Sequence, residues 1–281
     1  DSLGVTWIGL AMRRRILSIA LMCSFCLPAW AQTAETGLVT LQTRQDSAGW
    51  EAVGRLDIRG KGFCTAALIR DKLILTAAHC LYDTDGSLIA ADRFQFQAGL
   101  RDGRSEATRS ISRAVAHPDY NWRENATDAT EVAMDIAVLE LAQPIRTTRI
   151  QPYQIAQRPL TGDDVGVVSY GRGREHAASL QEVCKVLGRQ TGVVVMTCEV
   201  EFGSSGAPVF MVVEGQTRIA SVVSAMAQVN GQRVSLGTSL AGPLNELLSY
   251  FSALGPARPG GTQRLIGTGE RNDTGAKFVR P

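Results

Sequence analysis

Three things are scarce in this sequence: net charge, histidine, and apolar runs long enough to cross a bilayer. Its 281 residues carry 29 Lys and Arg against 27 Asp and Glu. Residues 1–31 hold Asp1, Arg13, Arg14 and Arg15, so the remainder has 26 of each sign. Such a balance lacks the basic footprint with which proteins engage nucleic acid or anionic lipid, and neither is expected as a partner. Histidine occurs three times, at 79, 117 and 176. No C-x-x-C is present and no second histidine stands at ligand spacing, which counts against zinc. No metal and no cofactor is expected. What remains is ordinary for a globular chain, with 44% hydrophobic and 20% charged residues. The length suffices for one large or two small domains with a real core.

The N-terminal apolar run, Ile16 to Leu27, is about 12 residues, short of the roughly 20 a membrane helix needs. It follows Arg13-Arg14-Arg15 and precedes Ala29-Trp30-Ala31, a small-x-small signal-peptidase pattern. Residues 1–31 therefore read as an export signal cut before Gln32, with Met12 as the natural start and 1–11 as an upstream extension. The mature chain is expected in the periplasm or outside the cell, with no stable membrane anchor after cleavage.

Helical periodicity is scarce too. From Leu38 onward, short strand-like runs are broken by glycine, aspartate and serine. They are Leu38–Gln42, Val53–Ile58, Thr65–Ile69, Leu73–Ala77, Phe94–Ala98, Ile111–Ala116, Ile136–Leu141, Val165–Ser169, Val193–Thr197, Val209–Val213, Ile219–Val223 and Val234–Leu236. So many short strands predict an all-β sandwich or barrel. No internal repeat is visible. The chain passes between two β-rich halves near Ile150-Gln151-Pro152. One helix is expected near the C-terminus, with Pro243 in its first turn, an apolar stripe of Leu244, Leu247, Leu248 and Phe251, and Gly255 as its cap. Beyond it, the Gly- and Pro-rich residues 256–281 have little to bury and read as a mobile tail.

With Cys23 and Cys26 in the signal, Cys64, Cys80, Cys184 and Cys198 remain, and four cysteines allow three pairings. Spacing favours two local bridges. A hairpin turning near Lys72 sets Cys64 opposite Cys80, and one turning near Thr191 and Gly192 sets Cys184 opposite Cys198. Each closes a loop of roughly 15 residues, worth about 3 kcal/mol by chain entropy.

The stretch Glu201-Phe202-Gly203-Ser204-Ser205-Gly206-Ala207-Pro208 reads equally as a tight turn or as a loop presenting Ser205 as a nucleophile. A serine hydroxyl needs a base. His79 ends the run Leu73-Ile74-Leu75-Thr76-Ala77-Ala78, beside Cys80, whereas His117 and His176 sit in polar segments and read as surface residues. Asp135 interrupts Val132-Ala133-Met134 and Ile136-Ala137-Val138-Leu139, where burial is expected. A buried carboxylate costs several kcal/mol unless paired, so Asp135 needs a partner. The His79 imidazole would serve it, and a Ser205–His79–Asp135 relay satisfies all three.

Thr76-Ala77-Ala78-His79-Cys80, Asp135-Ile136-Ala137-Val138-Leu139 and Gly203-Ser204-Ser205-Gly206-Ala207-Pro208 resemble, in that order, the three active-site motifs of the trypsin/chymotrypsin-like serine proteases. Phe63-Cys64-Thr65-Ala66-Ala67-Leu68-Ile69 resembles the strand whose cysteine bridges to the one after the catalytic histidine. Val168-Ser169-Tyr170-Gly171-Arg172-Gly173 resembles the segment opening the second barrel, and Val222-Val223-Ser224 the strand that pairs with substrate backbone. The resemblance spans about 50–255. It implies two perpendicular six-stranded antiparallel β-barrels, 38–152 and 153–255 with the C-terminal helix, and a polypeptide substrate in the cleft. It also implies that His79 is general base then acid, Asp135 its orienter and Ser205 the acyl-forming nucleophile. The oxyanion hole falls to the N–H groups of Gly203 and Ser205, and Val223 and Ser224 contact substrate. A monomer is expected.

Two departures stand out. Ser204 occupies the position where trypsin-like enzymes carry the aspartate that pairs with a new N-terminus on activation, and no Ile-Val-Gly-Gly start occurs in 32–60. Both place the chain nearer bacterial relatives, including the glutamyl endopeptidase branch. Counting back six from Ser205 sets Glu199 at the pocket base, which would favour Arg or Lys at the cleaved position. The glutamyl branch's histidine is absent from Val222–Ser224. Two other functions compete: a silent binding protein on a protease scaffold, and an esterase or lipase of the α/β-hydrolase type. The intact triad types oppose the first. Ala207 in place of the second motif glycine, and no histidine after Ser205, oppose the second.

Overall fold

A computed structural model describes residues 36–122 and 129–256. The export signal, the cleavage point and residues 257–281 of the expected tail lie outside them. Thirteen strands and two helices are assigned: β1 Val39–Thr40, β2 Val53–Ile58, β3 Gly62–Arg70, β4 Leu73–Thr76, β5 Phe94–Ala98, β6 Ala107–Ala116, α1 Ala129–Met134, β7 Ala137–Leu141, β8 Asp164–Gly171, β9 Arg174–Gln190, β10 Val193–Met196, β11 Pro208–Val213, β12 Gln216–Val229, β13 Gln232–Ser239 and α2 Pro243–Ala253. Among the described residues, no helix is long and apolar enough to cross a membrane.

Strands β2-β3-β4-β7-β6-β5 close into a six-stranded antiparallel barrel. Its interior is filled by fully buried Leu56, Leu68, Ile74, Phe94, Phe96 and Leu139. The second barrel is a ring of β8, β9, β10, β13, β12 and β11, closed by the pairing of β8 with β9. Val167, Val186, Val194, Met196 and Val209 fill it. The fold is chymotrypsin-like.

Three placements differ from the sequence reading. Val39 and Thr40 fall in the range given to the first barrel but pair with Leu180 and Ser179 of β9 in the second. Helix α2, grouped by sequence with the second barrel, packs on the first: Leu244, Leu247 and Phe251 share its core cluster. Arg113 of β6 lies 3.5 Å over the Phe251 ring and donates to the Phe251 and Gly255 carbonyls, clasping the helix down. The apolar stripe at helical spacing is what the first barrel's open face receives.

His117, read as a surface residue, is 1% exposed. It follows β6 directly, and α2 covers it. Its Nδ1 accepts the Asp119 N–H at 3.1 Å, and Nε2 lies 3.7 Å from a Glu246 oxygen. Burial lowers its pKa, with Asp119 and Glu246 working weakly the other way. The unfolded chain therefore takes up this proton more readily, so the site's contribution is fully present above pH 6.5 and is lost as pH falls through the lower folded value. His117→Asn keeps an acceptor at the Nδ1 position. The expected result is a wild-type Tm that falls more steeply than the variant's below pH 6.5. Parallel melting curves would show that this site does not couple to folding.

Candidate active site

His79 sits in the 3₁₀ turn Ala78–Leu81, directly after β4. The structure bonds Cys80 to Cys64 of β3, with Cα atoms 6.4 Å apart, so the turn is tied to the neighbouring strand. Cys184 on β9 bonds to Cys198, just beyond β10, across the turn at Thr191 and Gly192. Cys64, His79 and Cys80 bring possible ligand atoms within 4.8 Å of one another, but both sulfurs are spent in a disulfide and offer no thiolate.

Asp135 stands at the start of β7's buried run, its side chain 4% exposed. The carboxylate accepts three hydrogen bonds. Oδ1 takes the His79 N–H at 2.8 Å; Oδ2 takes His79 Nδ1–H at 2.7 Å and the Ser224 hydroxyl at 2.5 Å. A carboxylate only accepts, so Nδ1 carries a proton, and in the neutral ring Nε2 then keeps its lone pair. Both bonds from His79 fix the ring and the backbone of one residue against one acid. That is orientation.

Ser205 follows from the second barrel, on the loop between β10 and β11. Its position is set by β3. Thr65 N–H donates to the Ser205 carbonyl at 2.8 Å, and Thr65 Oγ1 donates to the Gly203 carbonyl at 2.9 Å. The same Oγ1 accepts the Tyr170 N–H at 3.0 Å. Gly206 lets the loop sit this close. It has φ +79°, and an added Cβ would come within 2.0 Å of Thr76 Oγ1 and 2.4 Å of the Thr65 carbonyl oxygen. No side chain fits there, and the sequence has glycine.

His79, Gly203, Ser205, Val223 and Ser224 all line one cleft of about 630 Å³. Along the loop the N–H groups alternate in their use. That of Ser204 donates to the Glu201 carbonyl and that of Gly206 to the Val223 carbonyl, both at 2.8 Å. Among the described residues, those of Gly203 and Ser205 find no acceptor. Two unspent donors beside a serine hydroxyl suit an oxygen that gains charge.

A model of the Trypsin family matches residues 40–235. The chain belongs to the trypsin family. It is 25% identical over 171 residues to a glutamyl endopeptidase of Bacillus licheniformis, covering 60% of this chain and 52% of that one. It is 27% identical over 152 residues to granzyme C of Mus musculus, covering 52% of this chain and 54% of the other. The chain thus spans about half the length of the curated relatives it matches. A solved structure titled "Structure of Glu endopeptidase in complex with MPD" superposes with a TM-score of 0.62 at 20% identity, covering 79% of this chain and 99% of that one, which shows the shared fold. This is a trypsin/chymotrypsin-like serine protease scaffold related to glutamyl endopeptidase.

One expected site residue is not where the sequence reading set it. Glu199, expected at the pocket base, is exposed and does not line the cleft. Cys198 and Val200 on either side are buried, so the alternation of an extended chain turns Glu199 outward. Its N–H is held by Gln181 Oε1 at 2.7 Å. The acids that do line the cleft are Glu175, whose carboxylate accepts the Gly173 N–H at 2.9 Å, and Glu201. Ser224, expected on the substrate strand, does line the cleft, but its hydroxyl is turned to Asp135. Thr65 was not singled out by the sequence. Its place beside the bridging Cys64 was the one available signal.

Proposed function

We propose that this chain is an exported serine endopeptidase, acting as a monomer on polypeptides through Ser205, His79 and Asp135. The observation that carries the proposal is the buried Asp135 carboxylate holding His79 by ring and backbone, with Ser205 and two unspent N–H donors in the same cleft. In this reading His79 Nε2 removes the Ser205 proton as Oγ attacks the scissile carbonyl carbon. The Gly203 and Ser205 N–H groups receive the oxyanion, each such donor being worth about 10²–10³ in turnover. The imidazolium then protonates the leaving amine, leaving an acyl-enzyme. Water, deprotonated by the same nitrogen, hydrolyses the ester and restores Ser205. The two disulfides fit an oxidising compartment such as the periplasm or the exterior.

A fluorophosphonate probe tests this directly, since it phosphonylates an activated serine. Label expected on wild type and absent from Ser205→Ala supports the mechanism. No Ser205-dependent label on folded, oxidised protein would remove it and favour a silent binding protein.

The preference for Arg or Lys now rests on Glu201. That acid is paired with Arg233 at 2.9 Å, so a basic substrate side chain must compete with an internal cation. The walls beside it, Val200, Phe202, Ala225 and Met226, are apolar. Arg233→Ala is expected to raise kcat/KM for Arg and Lys substrates over neutral ones by about 2–5-fold, the scale of an exposed charge pair. A peptide-library profile reads the change. A wild-type profile favouring glutamate, the residue in the name of the Bacillus relative, would reassign the selecting charge to a cation, Lys61 or Arg172 on the cleft wall or Arg233 beside Glu201.

A further inference from the structure

Ser204 sits where trypsin-like enzymes place an activating carboxylate, and it is fully buried directly between the two proposed oxyanion donors. Its hydroxyl is surrounded. It donates to the Tyr170 carbonyl at 3.2 Å and accepts the Glu201 N–H at 3.2 Å. It also accepts a hydrogen bond from Arg174 Nη2 at 3.0 Å. That guanidinium begins β9, immediately after the turn Arg172–Gly173, and is itself half-buried. Its other bonds go to Ser169, from Nη2 to Oγ at 2.9 Å and from Nη1 to the carbonyl oxygen. It folds back over Gly171, where an added Cβ would come within 2.7 Å of Nη2. Gly171, the last residue of β8, leaves that space to the guanidinium.

Resting on the peptidase reading, we propose that Arg174 is the positioning residue for the oxyanion loop, a built-in cation that locks Ser204 and so holds the Gly203 and Ser205 N–H groups toward the cleft. Arg174 touches no reacting atom; it acts through Ser204. A planar fork with several donors can bond Ser204 and both Ser169 oxygens at once, which a lysine ammonium cannot match in geometry. Burial opposes its charge, while Glu201, Glu199 and Glu175 support it. A guanidinium stays protonated under such pressure. The arrangement uses a neutral hydroxyl in place of a carboxylate, and a side chain in place of a chain terminus. The loop is therefore complete once both barrels have folded, without a cleavage event to supply the cation.

The test compares wild type, Arg174→Met, Arg174→Lys and Ser204→Ala, each checked for both disulfides and a cooperative melt. Arg174→Met is expected to lower kcat by about 10² with KM changed less than about twofold, because the donors act on the transition state. Arg174→Lys should fall between that variant and wild type. Affinity for a peptide boronate, whose tetrahedral adduct on Ser205 uses both donors, should fall in parallel with kcat, while affinity for a product peptide stays constant. A merely structural role would not split the two. Wild type carrying an uncleaved extension ahead of Gln32 should keep its kcat; loss of activity there would put the N-terminus, not Arg174, in the role. Unchanged kcat in folded Arg174→Met overturns the assignment. Should that variant not fold, unchanged kcat in Ser204→Ala does the same, against an expected loss of about tenfold, part of one donor's effect. Wild type without label or hydrolysis removes the peptidase reading itself, whereas labelled, active wild type with unaltered variants removes only Arg174's part.

Discussion

Ser205→Ala is expected to lower kcat by about 10⁶, with substrate still bound. The size follows from what is lost: the atom that forms the acyl bond. It does not follow from damage to the loop. Ser205 is held through its backbone carbonyl by the Thr65 N–H at 2.8 Å, and alanine keeps that bond. Gly206 and the Thr65–Gly203 contact are also untouched. The variant should therefore melt like wild type and still bind a product peptide. Its residual rate over water, about 10³–10⁴, would come from the free donors and from substrate positioning. A fluorogenic peptide assay measures it. A loss smaller than about tenfold would mean that Ser205 is not the nucleophile.

Asp135→Asn is expected to cost about 10⁴ in kcat, although the side chain barely changes size. The carboxylate accepts from the His79 ring, the His79 N–H and the Ser224 hydroxyl. An amide has one accepting oxygen and a nitrogen that only donates. Two donors already meet at Oδ2, and a third comes to Oδ1, so an amide nitrogen must face at least one of them. With that nitrogen toward the ring, Nδ1 becomes the acceptor and Nε2 takes the proton. Nε2 can then no longer accept from Ser205. With the amide turned the other way, the His79 backbone N–H faces a donor, and the turn carrying the ring loosens. NMR of the imidazole nitrogens in folded variant protein would show the tautomer change, and kcat would fall with KM nearly constant. A variant within about tenfold of wild type would show that His79 takes its orientation elsewhere.

The chain's informative positions were those where a local pattern was violated. Asp135 stood out because a charge interrupts an apolar run, and burial makes such a charge answer for itself. Most strands were visible as apolar runs, and Val53–Ile58 and Phe94–Ala98 match the structure end to end. Strand β9, the longest at 17 residues, left no such trace. Its inward positions include Ser179 and Gln181, both buried, which break the apolar alternation that marks a strand. Helix α1 was likewise unseen, being six residues long. His117 misled for a related reason: its local surroundings are polar, and its cover, α2, comes more than a hundred residues later. Thr65 and Arg174 act through partners at separations of 138 and 30 residues. No periodicity encodes a hydrogen bond of that kind, whereas the glycines that make room for it were legible as a motif.

The clasp of α2 on the first barrel sets a timetable. His79 and Asp135 are translated well before Ser205, and the first barrel's open face is not covered until Leu244, Leu247 and Phe251 have been made. A chain that ends before Ser205 holds a base and its acid but no nucleophile, and one that ends between Ser205 and Pro243 still lacks the closing helix. On the proposed peptidase reading, the first barrel is therefore closed only after the nucleophile has been made.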